Sequence, residues 1–388
     1  MYRGDLSRDG HPSTATLNIG DAQRLTLSWR AGMVGAIDGT PVVSAGVVVA
    51  GSQGGRLAAY NASTGVRLWE QSGLGPISSS PAIDGNRVFA STLSGHVRAF
   101  DLGSGRQVWD WQASGQSPAI WSSPAIYGGH VLIGIASQAG DKPLEVGRMV
   151  ALDATSGAQV WSVCVRDACE PGGGIWSTPA VDSAGRAFVG IGNPDDGVLA
   201  FNASTGARLW KYSFYSDDSR DLDVGASPVL LNVGGREAVA VGSDGGIFKV
   251  LDASTGSAIW SDDLVIGSAV HGLIASPAYD GTNLYVASAS PPTGVFALAP
   301  GDGKVTWRHQ TELPIYSSPA VGRGVVLVGT GAVFGDLGTG SIVALASADG
   351  AVLWTYKTHA AVRSSPAMAG NLVVVGDSGG DLLAFRPP

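Results

Sequence analysis

The chain has 388 residues and a formal net charge of −8, with 57 glycines and only 14% charged residues. The acidic balance and the lack of any Lys/Arg run argue against a phosphate-backbone partner, so no nucleic acid is expected. No apolar run approaches the roughly 18 residues of a membrane span, and abundant glycine with little charge suits tight turns joining sheets buried on both faces.

Met1 leads into YRGDLSRDG with no signal-peptide core, and the sequence reads as a mature, extracytoplasmic form with an added Met. Residues 1 to 30 then form a polar leader and a strand, RLTLSWRA, that carries Trp29 but has no module ahead of it. After it the chain repeats. Ser/Thr-Pro before an apolar pair occurs at Pro41, Pro81, Pro124, Pro179, Pro228, Pro277, Pro319 and Pro366, so modules begin near 39, 79, 122, 177, 226, 275, 317 and 364. Each reads as an antiparallel meander of about four short strands. Seven of them place a Gly four residues before a Trp, from Gly65/Trp69 to Gly350/Trp354, after an apolar strand and a turn such as NASTG. The Gly supplies positive φ in that turn. The eighth module stops at DLLAFRPP, one strand short, and the orphan Trp29 strand is the piece that would complete it. The expectation is one all-β domain over 1–388, an eight-bladed propeller of four-stranded blades closed by the N-terminal strand.

The first two modules are compact, with Pro-to-Pro spacings of 40 and 43; from Pro124 the spacing rises to 55, 49 and 49. The extra residues fall in SQAGDKPLEVG, CVRDACEPGGG, SDDSRDLDVG, SDDLVIGSAVHG and TGAVFGDLGTG. Strand counting puts all of these on one face, between strands two and three or in the link to the next module, while the NASTG-type turns lie opposite. Insertions gathered on one face mark the binding surface. Cys164 and Cys169 sit in one such loop with no His nearby, which favours a local disulfide and an oxidising compartment.

Three oxygen-bearing groups come to the inserted face: Glu145, Asn193 and Asp221. Carboxylate and amide oxygens suit a hard cation such as Ca²⁺; taken singly, each is also an ordinary solvated loop residue. Three residues before their prolines stand Trp121 and Trp176, and the same offset gives Arg363 in the last module. Such a ring of axial side chains is either plug packing or a platform for a flat ligand.

The module signature A-L-D-A-x-x-G-x-x-x-W resembles the pyrroloquinoline quinone (PQQ) repeat family over essentially the whole chain; non-catalytic BamB-like outer-membrane assembly proteins carry it too. The run GGGIWSTPAVD…VGIGNP, followed by RDLDVGASPVL and GGIFKVLDASTG, resembles quinoprotein alcohol dehydrogenases, in particular the propeller part of polyvinyl-alcohol dehydrogenases. That resemblance implies PQQ and Ca²⁺ as cofactors. Trp176 would stack on the quinone, Asn193, Glu145 and Asp221 would surround the cation, and Asp221 would take the proton of an alcohol. Where these enzymes carry a Lys or Arg facing the quinone oxygens, this chain has Asp244, whose carboxylate would repel an anionic cofactor, leaving Arg363 or Arg148 as the cations to meet it. No C-x-x-C-H haem motif is present, so electrons would pass to a separate acceptor such as a cytochrome c. The other function consistent with the sequence is a cofactor-free scaffold that uses the same face for a protein or carbohydrate partner.

Overall fold

A computed structural model describes residues 3–215, 221–332 and 338–388. Eight antiparallel sheets, each of four strands, follow one another around a ring. Blade 1 consists of Val42–Ser44, Val47–Ser52, Arg56–Asn61 and Arg67–Gln71, counted outward from the axis, and blades 2 to 7 repeat the pattern. Blade 8 takes three strands from Ala367–Arg386 and its outermost from Thr26–Gly32, which pairs antiparallel with Asp381–Arg386. The eight-bladed ring closed by the N-terminal strand therefore stands as read from the sequence. Inner strands are apolar on both faces because each sheet is packed between two neighbours, as in Val47–Ser52 and Arg186–Ile191.

The repeat signature proves to be a contact between blades. Trp210 of blade 4 donates its indole N–H to the carbonyl of Ala253 in the turn of blade 5, at 3.1 Å. A Cβ on Gly256 of that same turn would lie 2.6 Å from the Trp210 ring, and its φ is +73°. The glycine is thus fixed twice, by the left-handed turn and by the indole of the preceding blade. Trp29, Trp69, Trp109, Trp260 and Trp307 make the equivalent hydrogen bond to the next blade.

The Ser/Thr-Pro marker has its own explanation at the axis. The amide of Thr40 donates to Ser80 Oγ, Ser80 to Ser123, Ser123 to Thr178, Thr178 to Ser227, Ser227 to Ser276, Ser276 to Ser318 and Ser318 to Ser365, all at 2.8–3.1 Å. These seven bonds link eight blades; at the closing joint Ser364 Oγ donates to the carbonyl of Gly39.

The polar leader is a floor. Carbonyls of Leu6, Ser7, Asp9, Gly10 and Thr14 accept from Val181, Leu230, Tyr279, Val321 and Gly370, so the segment crosses five blades in turn on the face of the uniform turns. Arg8, fully buried, donates to the carbonyls of Pro179 and Asp5, and Arg3 to those of Arg8, Ser276 and Pro277. The sequence reading assigned these residues no role.

Candidate functional site

On the opposite face lie the longer connections. The insertion 137–147 joins the second and third strands of blade 3, and the link 165–179 leads from blade 3 into blade 4. Cys164, at the end of the preceding strand, and Cys169, in that link, form the expected disulfide. Part of SDDSRDLDVG and most of the inserted loop of blade 7, at 216–220 and 333–337, lie outside the described residues.

These connections enclose a cavity of about 480 Å³, lined by Trp121, Trp176, Asn193, Asp221 and Asp223 together with Gln138, Asp141, Leu144 and Val270. Its polar side is a chain of hydrogen bonds. Trp176 Nε1 donates to Asp223 Oδ2 at 2.8 Å, the amide of Asn193 donates to Asp223 Oδ1 at 3.0 Å, and Asn193 Nδ2 donates to Asp221 Oδ1 at 2.5 Å. Asp221 has φ +59°, a left-handed conformation that costs a non-glycine residue roughly 1 kcal/mol or more and occurs where surrounding contacts hold it. Trp176 is fixed on its other side by Gly225, where a Cβ would lie 1.9 Å from the indole. Trp121 donates to the carbonyl of Ser137 at 3.0 Å.

Electrostatics here are acidic. Burial, and then the charge of Asp221, push the Asp223 carboxyl up to about 6. Asp221 is also raised, by burial first and then by Asp141. The cavity is lined by hard donors, from Asn193, Asp221 and Asp223, and a divalent cation would offset the charge repulsion that adds to burial in raising both carboxyls. Among the described residues no three His, Cys, Asp or Glu side chains already converge as a metal cluster. Aromatic walls from consecutive blades beside such donors fit a flat, anionic cofactor that arrives with its cation.

Of the residues singled out in the sequence, Trp121, Trp176, Asn193 and Asp221 are brought together. Glu145 is not: its carboxylate accepts from the amide of Ser117 and lies against Gly115, away from the cavity lining. Arg148 donates to Ser114 through both terminal nitrogens. Arg363 pairs with Asp38 at 3.0 Å and lines the axial channel below the tryptophans. Asp244 differs most from expectation. It is 1% exposed, lies outside the cavity lining, and one carboxylate oxygen has no hydrogen-bond partner among the described residues. Burial, followed by Asp223, Asp221 and Asp196, raises its pKa well above the usual value. Asp244 thus sits outside the cavity lining but close enough to feel Asp223 and Asp221, and its burial disfavours the charged form that would repel an anionic cofactor.

Asp223 and Asp141 were missed. Asp223 could have been found from RDLDVG, because two carboxylates at alternate positions of an extended link point into related space; Asp141 carried no such signal.

The sequence model of the family described as outer membrane protein assembly factor BamB, built on PQQ repeats, matches residues 21–141, 145–290 and 243–388. The chain belongs to this family. A member of the curated proteins, the polyvinylalcohol dehydrogenase of Sphingopyxis sp. (strain 113P3), is 30% identical over 216 residues, covering 42% of this chain and 33% of that protein. The aligned part is thus about a third of that relative's length. Among solved structures, the quinohemoprotein alcohol dehydrogenase from Comamonas testosteroni superposes with a TM-score of 0.85 at 17% identity, over 98% of this chain and 79% of that one. A europium-containing methanol dehydrogenase gives 0.84 at 17% identity, over 100% and 97%. These likenesses establish that PQQ-repeat propellers of the alcohol dehydrogenase kind share this fold. No described helix is long and apolar enough to cross a membrane.

Proposed function

We propose that this PQQ-repeat propeller performs quinoprotein-type oxidation of an alcohol, with PQQ and Ca²⁺ or another hard cation held in the cavity between Trp176 and Asp221. The observation that carries the reading is the bonded chain Trp176–Asp223–Asn193–Asp221, which joins an aromatic wall to three oxygen donors in one cavity. When bound, PQQ supplies the two-electron acceptor and the cation polarises it.

The chain's own residues then have distinct tasks. Asp221 takes the hydroxyl proton of the alcohol, a role suited to a carboxylate whose pKa is raised toward neutrality. Asn193 orients Asp221 through its amide N–H and offers its Oδ1 to the cation. Asp223 holds the Trp176 indole and the Asn193 backbone. Leu144, Val270 and the neighbouring alanines give the mouth apolar walls, favouring an alcohol with a hydrocarbon body over a sugar. Arg363 and Arg148 are engaged elsewhere and no Lys or Arg lines the cavity among the described residues, so the cation would be the main positive charge these residues leave for the cofactor. The disulfide supports an extracytoplasmic location, and electrons leave to an external acceptor such as a cytochrome c.

The test is titration of metal-stripped protein with PQQ in the presence of Ca²⁺ or a lanthanide, followed by absorbance and by dye reduction with a panel of alcohols. Saturable binding with cation-dependent dye reduction supports the reading. Absence of binding at micromolar PQQ under every cation condition overturns it in favour of a cofactor-free scaffold.

A further inference from the structure

Trp121 and Trp176 stand three residues before the prolines of blades 3 and 4, and Tyr316 holds the same position in blade 7. All three line the axial channel, and the two tryptophans also line the cavity that contains Asp221. The phenol hydroxyl of Tyr316 donates to the carbonyl of Val270 at 3.0 Å, and Val270 and Ala269 belong to that same cavity lining. We propose that Tyr316 is a positioning residue: it ties the link from blade 5 to blade 6 to the axial girdle, so that the tip of the link is a fixed wall of the cofactor cavity, a role that rests on PQQ being the ligand.

The link is pinned at its base. The amide of Gly267 donates to the carbonyl of Gly245 at 3.1 Å, that of Leu273 to the carbonyl of Ser243 at 3.1 Å, and that of Gly272 to Ser290 Oγ at 3.0 Å. Gly267 and Gly272 both lie against the backbone of Asp244, where a Cβ would come within 1.8 and 2.0 Å of its carbonyl oxygen. Between these anchors, residues 268–271 form a small turn in which the amide of His271 donates to the carbonyl of Ser268 at 2.9 Å and Ser268 Oγ meets His271 Nδ1 at 3.2 Å. Among the described residues, the Tyr316 hydroxyl makes the only hydrogen bond between this turn and the rest of the propeller.

Burial, and then the charge of Asp244, hold the Tyr316 phenol above its ordinary pKa, so it stays protonated and able to donate. Val270 and Leu144 bring apolar side chains to the cavity from this link and from the insertion of blade 3, and among the described residues no hydrogen bond joins the two loops. The turn therefore does not lean on the insertion, and its tie to the axis is what fixes its distance from the tryptophans. One net hydrogen bond biases such a turn toward the held position by about two- to tenfold. A ligand enclosed between the tryptophans and the turn leaves when the turn opens, so its release rate follows the open fraction.

The experiment compares the full chain with Tyr316→Phe, which keeps the ring and removes the hydroxyl, and with Val270→Ala, which shortens the wall and keeps the tie. PQQ loaded with Ca²⁺ is the probe, and its release on dilution is followed by recovery of tryptophan fluorescence. Tyr316→Phe should release PQQ about two- to tenfold faster than the parent, and without PQQ its hydrogen exchange over residues 268–271 should quicken by a similar factor while Tm moves little. Val270→Ala should quicken release and leave that exchange unchanged. A merely structural role for Tyr316 would lower Tm without moving the release rate, and would overturn the proposal. Unchanged exchange over 268–271 in Tyr316→Phe overturns the tether while leaving PQQ as the ligand. Should Tyr316→Phe fail to fold, release from Val270→Ala decides: the parent's rate overturns the role of the turn as a wall, and a faster rate supports it. No PQQ binding by the parent overturns the tether and the PQQ reading together.

Discussion

Blade 4 carries an asparagine at each end, and the two do opposite work. Asn202, in the uniform turn on the leader's face, accepts from the amides of Ser204 and Thr205 through its own Oδ1, both at 3.0 Å, and so closes its turn locally. Asn193, nine residues earlier on the inserted face, makes no side-chain bond within its own turn among the described residues. It reaches instead to Asp221, in the link to blade 5. One face spends its polar groups on repeating the fold, and the other leaves them to meet across blades. A face whose turns are all alike cannot make a unique site, whereas one whose links differ can.

The strongest way to break this comparison is to open the ring. Deleting residues 1–32 removes the outer strand of blade 8 and the floor with Arg3 and Arg8. The expected result is loss of a single cooperative melting transition, accompanied by association through the bared edge of Asp381–Arg386. Calorimetry and size-exclusion chromatography would check it, and a variant that melts like the parent as a monomer would contradict the closure.

Next in size is the turn glycine. Gly256→Ala must adopt φ +73° and displace the Trp210 ring, which should cost about 2 to 4 kcal/mol. Gly281→Ala is the control, since it shares a left-handed φ of +89° but meets no atom within 4 Å; about 1 kcal/mol is expected there. Equal losses in denaturant melts would mean that the glycine serves the turn alone.

Within the site, Asp223 sets a pH dependence. Its carboxyl rises from 3.8 to about 6 on folding, so between those values the native state holds a proton that the unfolded chain has released. Stability should therefore fall as pH rises from about 4 to about 6 and stay level above. Asp223→Asn should remove about 1 to 3 kcal/mol of that fall, the equivalent of a shift of up to two units. Chemical denaturation at pH 4 and pH 7 measures it, and identical pH profiles for parent and variant would contradict the burial and Asp221 repulsion invoked here.

How far the sequence carried follows from the same contrast. Gly65 through Gly350, each four residues before a Trp, are local signals repeated seven times, and they announced the ring and its closing strand. Their physical basis was half hidden, because the indole that fixes Gly256 belongs to the preceding blade. The hydroxyl ring was equally invisible: Ser123 and Thr178 are 55 residues apart, and nothing in either segment shows that one bonds the other. Glu145 was chosen for its residue type and its loop, yet the chain turns it toward Ser117. Asp244 stands in a turn like those of other blades, and only packing shows that it is buried, with its pKa raised. Face and loop were legible from strand counting; side-chain direction within a loop was not.

The smallest effect on stability is paired with the most direct test of the site. Asn202→Ala should cost about 1 kcal/mol through its lost turn bonds and leave ligand binding untouched, while Asn193→Ala should hardly change Tm. Both variants and the parent would be titrated with PQQ at saturating Ca²⁺, monitored by quenching of tryptophan fluorescence. The parent and Asn202→Ala should bind alike, and Asn193→Ala should bind at least about tenfold more weakly. Equal binding by Asn193→Ala, or no binding by the parent, would contradict the assignment of this cavity.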